Sequence, residues 1–586
     1  MYSMLVLSAA EMQACDRATT ERHGIPSLQL MRAASAAVAG LARRHFSRAR
    51  RITVLCGRGN NGGDGMMTAR LLSRAGCDVT TILLGAPEGL KGDAAEAWRE
   101  LNEPAHGAIF VVNSAEELAR HKDALNADLI VDAVLGTGFT PPMKGLALDA
   151  LQWIKGSAAP VLAVDLPSGW PADAASATVD EPVFPADAVV TFTAPKPAHV
   201  FGQLTRRWDQ PVVVAPIGSP EEAIVSTLGV RWAGAALKLV QEPRAAAANK
   251  GNFGHVLVVG GSIGRSGAPA MTGLGALRAG AGLVTVAAPA PVVPQVAAVA
   301  PELMTWLLEE SLTGGIAVEN AARDALAALT ERKTVLAVGP GLGQRGETVE
   351  FVAALLRESK LPVVIDADGL NILSAERTML AEVAGMAQGG RIVVMTPHPG
   401  EMARLADTSV AEIQADRLDA ARGFARRNGV TLVLKGARTL VAHADGSVAV
   451  NTTGNPGMAK GGSGDLLTGL IAGLMAQHPG DAARAVEAAV YLHGLACDMA
   501  VRKADEHTLL ATDCLRQLAR AFRFRGAEFH AAEKGSSPKP LGFRRSDKDS
   551  PLESPDFQSD RKNGYVWLQG LPRGGRRGRA EGLRNV

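Results

Sequence analysis

GNPGMAKGGSGDLLTGLIAGL, from Gly454 to Leu474, decides how the rest of the chain is read. Gly454, Gly457, Gly461, Gly462 and Gly464 precede Asp465. Leu466, Leu467, Leu470, Ile471, Leu474 and Met475 then recur at the i, i+3, i+4 spacing of one helix face. Glycines just before a helix let backbone N–H groups converge on an anion, and the helix N-terminus adds about half a positive charge. A carboxylate placed there repels a phosphate unless it has a task. The obvious task is to take a proton from a hydroxyl that attacks the phosphorus. The stretch therefore predicts phosphoryl chemistry with Asp465 as base. A glycine-rich connection capped by Asp465 is the other reading of this loop alone.

Upstream of the loop, buried-strand patterns alternate with helical ones: HVLVVGGS (His255 to Ser262), LVTVAAP (Leu283 to Pro289), TVLAVGPGLG (Thr334 to Gly343), PVVIDADGLN (Pro362 to Asn371), RIVVMTPHPGE (Arg391 to Glu401) and TLVLKGART (Thr431 to Thr439). An earlier series has the same character, with RITVLCG (Arg51 to Gly57), VTTILLG (Val79 to Gly85), AIFVVN (Ala108 to Asn113), LIVDAVLG (Leu129 to Gly136), VLAVDLPSG (Val161 to Gly169), VVTFTA (Val189 to Ala194) and VVVAPIG (Val212 to Gly218). Continuous apolar runs indicate strands buried on both faces, as in a parallel sheet. Polar residues follow most of them, at the strand ends where open α/β sheets bind ligands. The pattern predicts two three-layer αβα domains, 1–220 and 221–526. Beyond them, 527–586 is rich in Pro, Gly, Ser and basic residues and reads as a disordered basic tail. Its RGGRRGR run is a solvated stretch rather than a nucleic-acid site. YVWLQGL (Tyr565 to Leu571) is too short to be a domain.

The totals fit a soluble globular protein: 586 residues, 47% apolar, 20% charged, formal net charge +2. Cys15, Cys56, Cys77, Cys497 and Cys514 are scattered, without CxxC or Cys/His ligand spacing. Neither a disulfide framework nor a zinc site is expected, which fits a reducing cytoplasm. The opening MYSMLVLSAAEMQACD lacks the basic n-region of a signal peptide and fits a helix better. No apolar run is long enough to predict a membrane span. Whether the chain forms a homo-oligomer is not readable.

In the first domain CGRGNNGGDG (Cys56 to Gly65) joins a strand to a helical run, and Gly57, Gly59 and Gly62 spell GxGxxG. A dinucleotide-binding turn is the first candidate. The acid expected at the end of the second strand is missing, since that strand ends in LLGAPEG with only Glu88 beyond it. Asn60, Asn61 and Asp64 put side-chain oxygens in the loop, and these suit a hard cation or a polar ring. Asp132 with the Gly136-Thr137-Gly138 turn, and Asp165 with Ser168, occupy two further strand ends. Three such loops can enclose one pocket.

GNNGGDG, DAVLGTG and DLPSG, in this order and spacing, resemble the epimerase domain of the NAD(P)H-hydrate repair enzymes. Glu11 to Ser35 resembles that family's N-terminal helix pair, departing from it at Arg32 and Ser35. The resemblance implies potassium bound by Asn61, Asp132 and Ser168. It implies a hydrated nicotinamide nucleotide held by Asn60, Asn61, Gly62, Gly63 and Asp64, by Gly136, Thr137, Gly138, Phe139, Thr140, Pro141 and Pro142, and by Asp165. Asp165 would be the acid/base group that inverts C6. KGNFGHVLVVGGS, SGAPAMTGLGALRAGAGLVTV, GPGLG, TPHPGE, KGART and GGSGD resemble the partner activity, the ribokinase-like, nucleotide-dependent NAD(P)H-hydrate dehydratase. Here the implied substrate contacts are Ala268, Gly339, Gly341, His398 and Asp465. The nucleotide contacts are Lys435, Gly436, Ala437, Arg438, Thr439 and Gly464. ADP is the implied donor, with Mg²⁺ near Glu401. Together the resemblances cover about residues 1 to 524.

The residue chemistry agrees. A ring hydroxyl leaves poorly, whereas its phosphoryl ester eliminates easily and restores the double bond. Asp465 would deprotonate the hydroxyl while the Gly461–Gly464 amides steady the transferring group. The sequence reads as a bifunctional repair enzyme acting on hydrated NADH and NADPH. The other reading is a ribokinase-like small-molecule kinase fused to a Rossmann domain. Asp366 and Asp368 end a strand and receive no direct catalytic role.

Overall fold

The structure is a computed structural model that describes residues 4–103, 107–344, 346–524 and 565–571. Its contacts divide the chain into two compact units. One holds 9–225 together with 565–571; the other holds 4–8 together with 226–524. The first residues thus differ from the sequence expectation of a continuous domain 1–220. Val6 donates its amide to Val230 O and Trp232 donates to Met4 O, which ties the N-terminal end to the second unit.

In the first unit β1 (Arg51–Cys56), β2 (Asp78–Leu84), β3 (Ala108–Val112), β4 (Leu129–Ala133), β5 (Val161–Val164), β6 (Ala188–Phe192) and β7 (Val212–Ala215) form a parallel sheet in the order 3-2-1-4-5-6-7. Ile52, Val54 and Cys56 pack toward the helices Ser27–His45 and Asn60–Arg74, while Leu55 joins the opposite cluster with Leu151 and Ile154. Both faces are covered, the reason these strands read as unbroken apolar runs.

The second unit carries β8 (Val230–Trp232), β9 (His255–Val259), β10 (Leu283–Pro289), β11 (Met304–Leu308), β12 (Val335–Val338), β13 (Val363–Ile365), β14 (Val393–Met395), β15 (Thr431–Leu434), β16 (Leu440–Ala442) and β17 (Val448–Val450). Its order is 11-10-9-12-13-14-15-16-17-8, parallel through β15, with β16 antiparallel to β15 and β17, and β8 parallel to β17 at the edge. β9 to β15 repeat the winding of β1 to β7. In each sheet the order reverses beside the first strand, between β1 and β4 and between β9 and β12. A crevice opens at such a switch point beyond the strand C-termini.

Two findings correct the sequence reading. Val566–Gln569, inside the expected disordered tail, is a strand, β18, paired antiparallel to β7. A short apolar segment needs no core of its own when an existing sheet edge accepts it. The remainder of the expected tail, 527–564 and 572–586, lies outside the described residues. Cys497 and Cys514 form a disulfide, although no spacing motif announced one. The helices Ala482–Val501 and Ala511–Phe522 run side by side and bring their Cα atoms to 4.4 Å.

Candidate active sites

The first site is built on glycines that only a close turn requires. A Cβ on Gly57 would lie 2.1 Å from Val134 O, and one on Gly62 would lie 1.8 Å from Gly57 O. The helix Asn60–Arg74 therefore begins against the end of β1. Beyond β1 and β4 lies a cavity of about 1230 Å³. Asn60, Asn61, Asp64, Gly136, Thr137, Gly138, Phe139 and Asp165 line it. Gly62 and Gly63 are buried behind that wall, and Thr140, Pro141 and Pro142 lie exposed outside it. Asp16 from the N-terminal helix and Lys196 also line it, and the sequence reading assigned neither.

Asp165 is the hub. Its backbone is left-handed, φ 64°, which turns the carboxylate back over the strand ends. Oδ1 accepts from Lys196 Nζ at 2.8 Å and Thr191 Oγ1 at 2.8 Å, and Oδ2 accepts from Thr137 N at 3.0 Å and from the Thr137 hydroxyl. Burial pushes this carboxyl up, but the buried Lys196 ammonium and the hydroxyl donors outweigh it and hold Asp165 well below the usual range. His199 accepts the Lys196 amide at Nδ1, which leaves Nε2–H to donate to Asp165 O at 2.8 Å. Burial, then the Lys196 charge, lowers His199 to about 4, so it is a neutral brace. Asp16 is lifted to about 6 by burial, with Lys196 opposing. Asp64 is raised by burial and by Asp165 and Asp16.

Of the three expected potassium ligands, Asp132 and Ser168 are hydrogen-bonded to each other, and Asn61 lies in the cavity wall beside Gly136. Asp132 is fully buried; its Oδ1 accepts from Ser168 Oγ at 2.6 Å and its Oδ2 accepts from Ser168 N at 2.8 Å. Asn61 Oδ1 sits 3.0 Å from where a Gly136 Cβ would be, and Asn61 Nδ2 is buried without a hydrogen-bond partner. Burial lifts Asp132 to about 6 against its Ser168 and Val134 hydrogen bonds. A buried carboxylate beside an amide and a hydroxyl oxygen suits a hard monovalent cation.

In the second unit the strand ends converge on Asp366. Its Oδ1 accepts from Lys435 Nζ at 2.8 Å and its Oδ2 from Thr468 Oγ1 at 2.7 Å. Burial raises this carboxyl, and Lys435 with the hydroxyls more than reverses that, leaving it below its ordinary value. Lys435 is therefore a half-buried ion-pair member, 3.8 Å from Glu401 Oε2 as well, and Asp366 and Glu401 hold its ammonium charged against desolvation. Glu401 accepts the His398 amide at 2.8 Å, and its carboxyl is raised by burial. His398 caps the helix Pro399–Ala406 through Nδ1, and burial lowers its pKa.

Asp465 stands in the first turn of the helix Ser463–Gln477. Burial first, then the negative Asp366, lift its carboxyl to about 6, with Lys435 opposing. A Cβ on Gly464 would be 3.5 Å from Lys435 Nζ. The amide-rich helix start, one carboxylate and one ammonium thus share a site. Gly339 touches the other side of the same strand end, since a Cβ there would lie 1.9 Å from Asp366 O. Asp368 accepts from Gly343 N at 2.9 Å, anchoring the Gly339–Gly343 loop, and a Cβ on Gly341 would meet the Ala268 Cβ at 3.2 Å. Gly436 and Ala437 are exposed; Arg438 Nη1 points to Thr452 O at 3.3 Å and Thr439 Oγ1 to Gly436 O at 2.9 Å. Among the described residues no three His, Cys, Asp or Glu side chains gather as a metal cage. Mg²⁺ keeps several waters and is commonly held through one or two carboxylates and substrate phosphates, so the single carboxylate of Glu401 can serve without a cage.

Sheet order and strand-end sites define a protein of two doubly wound α/β domains, each with an Asp–Lys pair at its strand ends. Residues 256–520 match the family described as NAD(P)H-hydrate dehydratase, and 27–198 the family described as YjeF-related protein N-terminus. The bifunctional NAD(P)H-hydrate repair enzyme Nnr of Moorella thermoacetica is 42% identical over 526 residues, covering 87% of this chain and 95% of that protein. Its Escherichia coli K12 counterpart is 34% identical over 517 residues, covering 86% and 91%. The chain belongs to this family of bifunctional NAD(P)H-hydrate repair enzymes. Among solved structures, an ADP/ATP-dependent NAD(P)H-hydrate dehydratase from Bacillus subtilis, co-crystallised with ATP and Mg²⁺, is 34% identical with a TM-score of 0.42, covering 49% of this chain and 96% of that one.

Proposed function

We propose that the two units perform successive steps on hydrated NADH and NADPH. The first interconverts the R and S hydrates at C6 of the nicotinamide ring. The second dehydrates the S form with ADP, giving NAD(P)H, AMP and phosphate. The observation that carries the reading is Asp465: a carboxyl lifted to about 6, set among helix-start amides and next to Lys435. A base for a hydroxyl works best when its pKa lies near the working pH. Asp465 takes the hydroxyl proton as its oxygen bonds to the phosphoryl group and AMP leaves, the Gly461–Gly464 amides and Lys435 carry the developing charge, and loss of phosphate from C6 with a proton from C5 then restores the double bond. Asp366 keeps Lys435 charged and aimed. Glu401 would hold Mg²⁺, which would supply positive charge to the donor's phosphates.

In the first unit Asp165 is the acid/base group for inverting C6, held ionised by the Lys196 ammonium at 2.8 Å. Asn60, Asn61, Asp64 and the Gly136–Phe139 turn hold the nucleotide. Asn61, Asp132 and Ser168 would hold K⁺, which supplies a fixed positive charge beside the ring. Among the described residues no helix is long and apolar enough to cross a membrane. The reading places the enzyme in the cytoplasm, where a Cys497–Cys514 bond departs from the usual reduced state of thiols.

The test is purified protein with chemically hydrated NADH, supplied with ADP or with ATP and followed as returning NADH absorbance and released phosphate. NADH and inorganic phosphate in equal amounts are expected. A stable phosphorylated product would favour the small-molecule kinase instead, and inertness with both donors would discard the dehydratase reading.

A further inference from the structure

β7 has the composition of an interior strand: Val212, Val213, Val214 and Ala215 are all buried. Left as an edge it would offer an apolar ladder to any passing strand. Instead Val566, Trp567 and Gln569 pair with Val214, Val213 and Val212, antiparallel to a sheet otherwise parallel throughout. The segment lies beyond the residues matched by either family, 27–198 and 256–520.

Tyr565 donates its hydroxyl to Ala37 O at 2.6 Å and lies over Gly40, where a Cβ would come within 2.6 Å of the phenol oxygen. The Arg44 guanidinium sits 5.4 Å from the Tyr565 ring centre. Trp567 enters the core cluster that holds Met31, Ala34 and Val213, and its indole N–H has no hydrogen-bond partner, so packing alone retains it. Gln569 is buried and donates to Thr205 Oγ1 at 2.9 Å and Gln210 O at 3.2 Å. Gly570 turns away at φ 73°, where a Cβ would meet Asp209 O at 2.9 Å.

We propose that the β7 edge and the helix Ser27–His45 form a peptide-recognition site of the epimerase-like unit, and that its occupant is this chain's own segment 565–571, docked as an added strand. Strand addition draws affinity from backbone pairing and selectivity from pockets for individual side chains. Tyr565 and Trp567 fill such pockets here. The same helix carries Leu30, Met31 and Ala34 in the wall of the active cavity, so the docked segment braces that wall.

The experiment uses a fluorescently labelled peptide of residues 565–571 and the chain ended after Phe524. Saturable binding to the shortened chain is expected, at least tenfold tighter than to the full chain, whose site is filled. A Trp567→Ala peptide should bind at least tenfold more weakly, and a Trp567→Phe peptide within about threefold, because no indole hydrogen bond is lost. Absence of binding to a shortened chain that keeps its near-UV circular dichroism overturns the proposal, as does equal binding to both chains. A second arm does not depend on the shortened chain folding. A protease site placed between residues 545 and 560 is cut after purification, and the released end should stay with the body through gel filtration. Its separation overturns the proposal. So does a full chain of dimeric mass that becomes monomeric on shortening, since the segment would then belong to a second copy's edge.

Discussion

Asp465 and Asp165 are both strand- or helix-end carboxylates beside a lysine, yet their surroundings drive them apart. Asp465 feels Lys435 only after Asp366 has claimed it, so burial and the Asp366 charge dominate and its carboxyl rises to about 6. Its basic form is therefore lost as pH falls through 6. Dehydratase kcat should show an acid limb near pH 6, and Asp465→Asn should lower kcat about 100- to 10,000-fold. An unimpaired variant would remove the base from this residue. Asp165 holds Lys196 in a direct ion pair at 2.8 Å and lies below the ordinary range. Lys196→Met removes the largest influence holding it down, so epimerase activity should fall and its acid limb should move to higher pH. An unmoved limb would sink the Asp165–Lys196 pairing as the source of ionisation. Asp132 is the third case. Its folded pKa of about 6 exceeds the unfolded value, so the folded state carries an uncompensated buried charge only above pH 6. K⁺ should therefore raise the melting temperature of the first unit at pH 8 and have little effect at pH 5. Asp132→Asn should abolish that difference, as differential scanning calorimetry in K⁺ against a bulky organic cation would show.

At the scale of elements, the helix Ser463–Gln477 is positioned by glycine. A Cβ on Gly469 would lie 2.0 Å from Thr272 O, and one on Gly473 would lie 2.7 Å from Ala276 O. The helix Gly267–Ala279 thus comes close enough to fix where Asp465 begins. Gly469→Ala should cost about 1–3 kcal/mol by overpacking, read as a lower denaturation midpoint, and should depress dehydratase activity with it. Much at this scale was legible in sequence. Every apolar run named as a strand is one, because burial on both faces leaves an unbroken signature. The strands Val230–Trp232 and Leu440–Ala442 were not, since their pairing partners decide them. The same limit hid parts of the sites. Asp165 and Asp465 stand in glycine-marked motifs, whereas Lys196 and Asp366 gain meaning only from the atom 2.8 Å away. Nothing near Cys497 or Cys514 advertises a partner, and a seven-residue YVWLQGL looks inert until a β7 edge is there to receive it.

Across the whole molecule, two sheets of the same winding put two chemistries on one chain, and the family membership makes the products of one the substrates of the other. Hydrated NADH exists as R and S forms, and only the S form enters the second reaction. An enzyme with both sites intact therefore consumes a mixture to completion, since epimerisation refills the S pool as dehydration drains it. Disabling each site alone separates the contributions. Asp165→Asn should give a fast phase equal to the S share of the mixture and then slow to the uncatalysed interconversion rate. Asp465→Asn should return no NADH while still equilibrating purified R hydrate with S, measured by chromatography. Mixing the two variants should restore complete consumption, because the intermediate is an ordinary diffusible nucleotide. Single-phase, complete consumption by Asp165→Asn would show that Asp165 does not carry the epimerisation. Failure of the mixture to complement would mean that the S hydrate does not leave one chain for another.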